Sequence, residues 1–130
     1  MSYDLTVDWV GEVPTTSQWQ AALDVAGLGT VLDTKIEPAT HAGGWWPATY
    51  QGEEAGFEFY LSPNQDSGWH ALFAFGWRNP NERLSASFAA AALTRLTGGE
   101  FGDPQTSARY SAAKVIEGVR AEIAREKGGI

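Results

Sequence analysis

The residues in this chain that could do chemistry are few and scattered. His41 and His70 are its two histidines and cysteine is absent. A metal site would need carboxylates to join a lone imidazole, and neither a thiolate zinc site nor a cysteine nucleophile can be built. Glu53 and Glu58 could serve as a glycosidase pair, whose carboxylates stand about 5–10 Å apart, but acids in a turn are far more often solvated than catalytic. The sequence holds no Gly-x-x-x-x-Gly-Lys phosphate loop, no Gly-x-Ser-x-Gly elbow, no His-Glu-x-x-His and no cysteine-based deaminase signature. No catalytic residue, metal ligand or cofactor site is assigned, and a non-enzymatic role is expected.

Surface recognition is the chemistry left. Six tryptophans occur in 130 residues, and Trp45 and Trp46 stand side by side near Tyr50. Successive side chains of an extended chain point oppositely, so the two cannot enter the same core, and Pro47 confines any strand here to a sheet edge. One of the pair should be exposed, as an anchor for a protein partner or a stacking platform for a sugar; plain packing is the third reading. Charge adds a second feature. Residues 1–66 carry ten acids against Lys35 alone, whereas residues 67–130 carry six acids and eight bases, for a net −7. An acidic first half repels phosphate backbones and attracts basic surfaces, so no nucleic-acid partner is expected; solubility alone would also account for it.

The elements that must position these residues can be read from periodicity. The run from Trp69 to Trp77 puts Trp69, Ala71, Phe73, Phe75 and Trp77 on one face and His70, Leu72, Ala74 and Gly76 on the other. Neither face is patterned for water, which predicts an interior strand with helices on its aromatic side. Tyr3 to Trp9 alternates as a half-exposed strand, Thr30 to Ile36 reads as a second, and Phe57, Phe59 and Leu61 define a third that forms a hairpin with the interior strand through Ser62 to Gly68. Thr15 and Gln18 fit a capping box before a helix with Trp19, Ala22, Leu23 and Ala26 on one stripe, closed by Gly27 and Gly29. Asn79 and Pro80 open a second helix to about Thr97, with Leu84, Phe88, Ala91, Ala92 and Leu96 inward, ended by Gly98 and Gly99. After a connection with one short strand near Phe101, a last helix is expected from about Ala108 to Lys127, with Ala112, Ile116, Val119 and Ile123 inward. The expectation is one α+β domain over residues 1–130, built on a mostly antiparallel sheet of four to six strands with about three helices.

At this length about two-thirds of the unfolded surface can be buried without disulfides or metals. No apolar run approaches the roughly 18 residues of a membrane span, and acids stand near the amino terminus where a secretory signal would carry bases. A cytoplasmic chain with no membrane contact is expected.

The order of elements, the run Ala89 to Thr106 (Ala-Ala-Ala-Ala-Leu-Thr-Arg-Leu-Thr-Gly-Gly-Glu-Phe-Gly-Asp-Pro-Gln-Thr), and the tyrosine and amphipathic helix after it resemble small bacterial immunity proteins of contact-dependent or type VI secretion systems. The opening Met-Ser-Tyr-Asp-Leu and the segment Gly-Phe-Glu-Phe-Tyr share the likeness loosely. The resemblance implies an α+β domain that binds a cognate toxin and blocks its active site or assembly without catalysis of its own. It transfers scaffold and no contact residues. The contact set is therefore chosen on charge and aromaticity as Trp45, Trp46, Tyr50, Glu53, Glu54, Glu58 and Asp66, facing a basic nuclease-like toxin. A carbohydrate-binding module and an accessory or chaperone domain are the alternatives.

Overall fold

Alternation at the amino terminus builds the first strand, β1 (Tyr3–Val10), with Tyr3, Leu5, Val7 and Trp9 buried and Asp4, Thr6 and Asp8 half-buried on the opposite face. In the computed structural model, which describes residues 3–76 and 79–128, the remaining strands are β2 (Thr30–Leu32), β3 (Gly44–Trp46), β4 (Ala48–Tyr50), β5 (Glu53–Glu54), β6 (Phe57–Asn64), β7 (Gly68–Phe75), β8 (Glu100–Asp103) and β9 (Ala108–Ser111). The helices are α1 (Thr16–Val25), α2 (Pro80–Thr97) and α3 (Val115–Gly128). Six strands form one antiparallel sheet in the order β3-β6-β7-β1-β8-β9; β2, β4 and β5 form a second of three. The architecture is α+β.

The strand read as interior is β7, flanked by β6 and β1. Ala71, Phe73 and Phe75 on its inward face are buried, and Trp77 lies outside the described residues. Trp69 is only half-buried, at the rim, where its indole Nε1 donates to the Gly11 carbonyl at 3.1 Å. On the other face of β7, His70 and Leu72 are half-exposed, because the helices and the small sheet all stack on the aromatic side.

The helices gather on that side through a core led by Trp19. Its ring meets Trp46, Phe59 and Phe73 at centroid distances of 5.3, 5.5 and 5.9 Å, and its Nε1 donates to the Ala89 carbonyl of α2 at 2.8 Å. Every residue of α2 from Ser85 to Thr94 is buried. Its alanines leave no side chain to hold the sheet and α1 away, so one helix can pack on several elements at once. Both expected caps are present: Thr15 and Gln18 bond reciprocally at α1, and Asn79 accepts from Asn81 N ahead of Pro80 at α2. Gly98, at φ 72°, ends α2 in the left-handed conformation, and a Cβ on Gly99 would stand 2.3 Å from the Asp8 carbonyl oxygen. Glycine therefore lets the chain turn straight from α2 into β8 beside β1.

Two boundaries and one burial differ from the sequence reading. The strand expected over Thr30 to Ile36 stops at Leu32, because Asp33 Oδ1 accepts from the Lys35 backbone at 2.9 Å and folds the chain into a turn. The helix expected from Ala108 starts at Val115, since Ala108–Ser111 pair with β8 as a hairpin; Ala112 precedes the helix, and the fully buried Val115 takes its place inward. Leu96 is 39% exposed, opening onto a groove between α1 and α2 instead of onto the sheet. Among the described residues no helix is long and apolar enough to cross a membrane.

Phe73 is fully buried against Trp19, Phe57 and Phe59, so Phe73→Ala should destabilise the fold by about 3–5 kcal/mol. A loss below about 1 kcal/mol in denaturant melts would contradict that packing.

Candidate partner-binding face

The uncovered side of the large sheet collects the polar half of each alternating strand. Residues directly opposite across strands share a face, so the register sets out three rows. Trp45 stands beside Glu58, then Ala74 and Asp4; Tyr60 beside Leu72, Thr6, Gly102 and Arg109; Ser62 beside His70, Asp8, Glu100 and Ser111.

Local bonds hold this face in place. Asp8 Oδ1 takes His70 Nδ1 at 2.7 Å and Asn64 Nδ2 at 3.2 Å. A carboxylate accepts, so Nδ1 carries the imidazole hydrogen. Arg109 Nε donates to Glu100 Oε1 at 2.9 Å, and a second guanidinium nitrogen bonds the same oxygen. Tyr60 donates to Glu58, and that bond, followed by desolvation and the carboxylate's charge, raises the phenol above the ordinary tyrosine pKa. It therefore stays a neutral donor at physiological pH.

Two exposed rings give the face its apolar content. Trp45 is 47% exposed and Tyr60 40%. Each packs closely against a glycine. A Cβ on Gly56 would fall 2.5 Å from Trp45 Cζ2, and one on Gly43 3.0 Å from Tyr60 Cδ1. The rings are thus presented by the sheet and not by a free loop, which limits the rotamer entropy lost on contact.

Of the seven residues selected from sequence, the sheet brings together Trp45 and Glu58, which are register partners. Trp46 has to be withdrawn from the set: it is fully buried between Trp19, Phe59 and His41, the inward member of a pair whose side chains must point oppositely. Tyr50, Glu53 and Glu54 belong to the small sheet, where Tyr50 packs on Phe88 of α2 at 5.9 Å and Asn79 Nδ2 bonds the Glu54 carbonyl. They do not share a face with Trp45. Asp66 lies exposed in the β6–β7 turn at φ 60°. The sequence reading missed Asp4, Asp8, Tyr60, Glu100 and Arg109 as one surface. The outward parity of Asp4, Asp8 and Tyr60 was visible along their strands, but Glu100 fell in an expected connection and Arg109 in an expected helix, and the strand order that makes all five neighbours was not visible. Among the described residues no three metal-ligating side chains converge.

No protein-family model, curated protein or solved structure matches this chain.

Because Gly56 has no room for a methyl group under the Trp45 ring or beside the Trp46 carbonyl oxygen, which is 2.8 Å away, Gly56→Ala should lift the ring. The expected result is a larger acrylamide-quenchable share of tryptophan emission and a stability loss of about 1–3 kcal/mol, the usual range for overpacking. Emission and melting unchanged from wild type would show that the ring does not rest on Gly56.

Proposed function

We propose that this domain is an immunity protein that binds a cognate secreted toxin, a basic nuclease-like domain, through the open face of the large sheet, and so blocks the toxin's active site or its assembly. The observation that carries this reading is the pairing, on one uncovered face, of a half-exposed tryptophan seated on glycine with the carboxylates of Glu58, Asp4, Asp8 and Glu100. The resemblance of Ala89 to Thr106 to immunity proteins supplies the class of partner.

Carboxylates on the face speed encounter with a basic surface, and the aromatic anchor slows departure once water is excluded around it. Glu100 is paired with the Arg109 guanidinium, so the steering field comes mainly from Asp4, Asp8 and Glu58. A carbohydrate-binding reading uses the same Trp45 ring as a stacking platform, with Glu58 and the Tyr60 hydroxyl beside it to bond sugar hydroxyls.

Surface plasmon resonance against the toxin domain encoded beside this chain, at two salt concentrations, separates these terms. Trp45→Ala should act on dissociation and cost about 2 kcal/mol, in the range of interface anchors. Asp4→Lys with Glu58→Lys should slow association, with the difference shrinking as salt is added. Glu53→Lys with Glu54→Lys, on the small sheet, should change the kinetics less. Absence of micromolar binding by the wild-type protein would overturn the immunity reading, and tryptophan quenching by oligosaccharides alone would favour the sugar.

A further inference from the structure

The large sheet has two edges, and they differ. At one, β3 is three residues long, enters through Gly43 and Gly44 at φ 99° and 113°, and runs into Pro47. Past it, residues 60–64 of β6 also lack a strand on that side among the described residues, but Pro63 removes a backbone donor from that stretch, so this edge is a poor template. At the other, β9 offers four residues whose outer side is met by no strand among the described residues. An edge of this kind is a ready template for another strand unless something guards it, and the usual guard is an outward charge. The charge on β9 is Arg109, and it is folded back across β8 onto Glu100. The α3 helix does not occupy the edge either: it packs on the inward face of β9, where a Cβ on Gly118 would stand 2.4 Å from the Tyr110 ring.

Clefts flank the same strand on both faces of the sheet. The inward one, about 420 Å³, lies between β9 and α3 and is lined by Tyr3, Asp103, Tyr110, Glu122 and Arg125. The outward one, about 250 Å³, is lined by Thr6, Gly102 and Arg109. Side chains of a strand added to β9 would alternate between these two spaces. The inward cleft is rich in acceptors. Asp103, buried to 3% exposure, has both oxygens taken, one by the Tyr3 hydroxyl at 2.6 Å and the other by Gln105 N and Nε2 at 3.0 and 2.7 Å, and Glu122 takes the Tyr110 hydroxyl at 3.0 Å. Its two carboxylates outnumber its one guanidinium, so it suits a lysine or arginine side chain.

We infer that an extended, basic segment of the partner adds to β9 as a seventh strand, main-chain bonds supplying affinity and a lysine or arginine in the cleft beside Glu122 supplying selectivity. The inference rests on the immunity reading and places part of the contact on an edge continuous with the open face through Thr6, Gly102 and Arg109.

The test is hydrogen–deuterium exchange on the full chain with and without the toxin domain encoded beside it, together with Glu122→Lys and, as a control on the cleft's shape, Glu122→Gln. The expected result is at least tenfold slower exchange at backbone amides within Ala108–Ser111 in the complex. Glu122→Lys should weaken binding about tenfold or more and Glu122→Gln by less, with both variants melting as the wild type does. If the toxin binds, Trp45→Ala weakens it, and the β9 amides exchange as in the free protein, the edge inference is overturned while the immunity reading stands. If the toxin does not bind at all, both fall. Protection of β9 with Glu122→Lys binding as wild type keeps the added strand and overturns the basic side chain in the cleft.

Discussion

The structure depends on where Trp19 is held. One side chain from the shortest of the three helices touches β3 through Trp46, β6 through Phe59 and β7 through Phe73, and spends its single polar atom on a carbonyl of α2. An indole buried without a bond would carry the desolvation cost of its N–H, and Ala89 O, with a second lone pair beyond its helical bond, relieves it. Sheet and helices are thereby registered against each other at one point. The ends of α1 are fixed to match. At its start the Thr16 amide donates to Glu37 and the hydroxyl to the Ile36 carbonyl; beyond its end Arg120 of α3 reaches the Ala26 carbonyl.

The small sheet depends on the same arrangement. Strand β2 has β4 on one side, and on the other the side chain of Gln20 from α1, which accepts from Leu32 N at 2.7 Å and donates to the Thr30 carbonyl at 3.0 Å. A helical side chain here does the work of a neighbouring strand, which lets so short a strand persist with its edge groups satisfied. It also explains why Tyr50, Glu53 and Glu54 sit in a different layer from Trp45. The chain leaves the large sheet at Trp46, crosses beneath α2, and returns only at Phe57.

Much of the fold was legible in the sequence because local chemistry and tertiary structure agree there. Strand β1, the β6–β7 hairpin, the capping box at Thr15 and the glycine stop at Gly98 all follow from period or cap. The misses have a common cause. Asp33 and the Ala108–Ser111 hairpin turn on bonds to particular partners, which hydrophobic period does not record, and the alanine-rich surroundings of Ala108 favour helix until β8 is available to pair with it. The open face was half legible. Outward residues can be counted along β1, β6 and β7 but not along β9, which reads as helix, and β1 pairs with β7 and β8 across 58 to 96 residues of chain, pairings that nothing local announces.

Alternation along the strands of the large sheet separates two kinds of inheritance. Leu5, Val7, Phe59 and Phe73 answer to the core, while Asp4, Thr6, Glu58, Tyr60 and Leu72, interleaved with them, answer to whatever meets the open face. A substitution at one parity leaves the other untouched. If the open face meets a partner, as proposed, the outward set can change with that partner while the inward set stays still. A scaffold with that property can be reused against new targets without being rebuilt, and its descendants would be traceable by the buried residues and hard to recognise by the exposed ones.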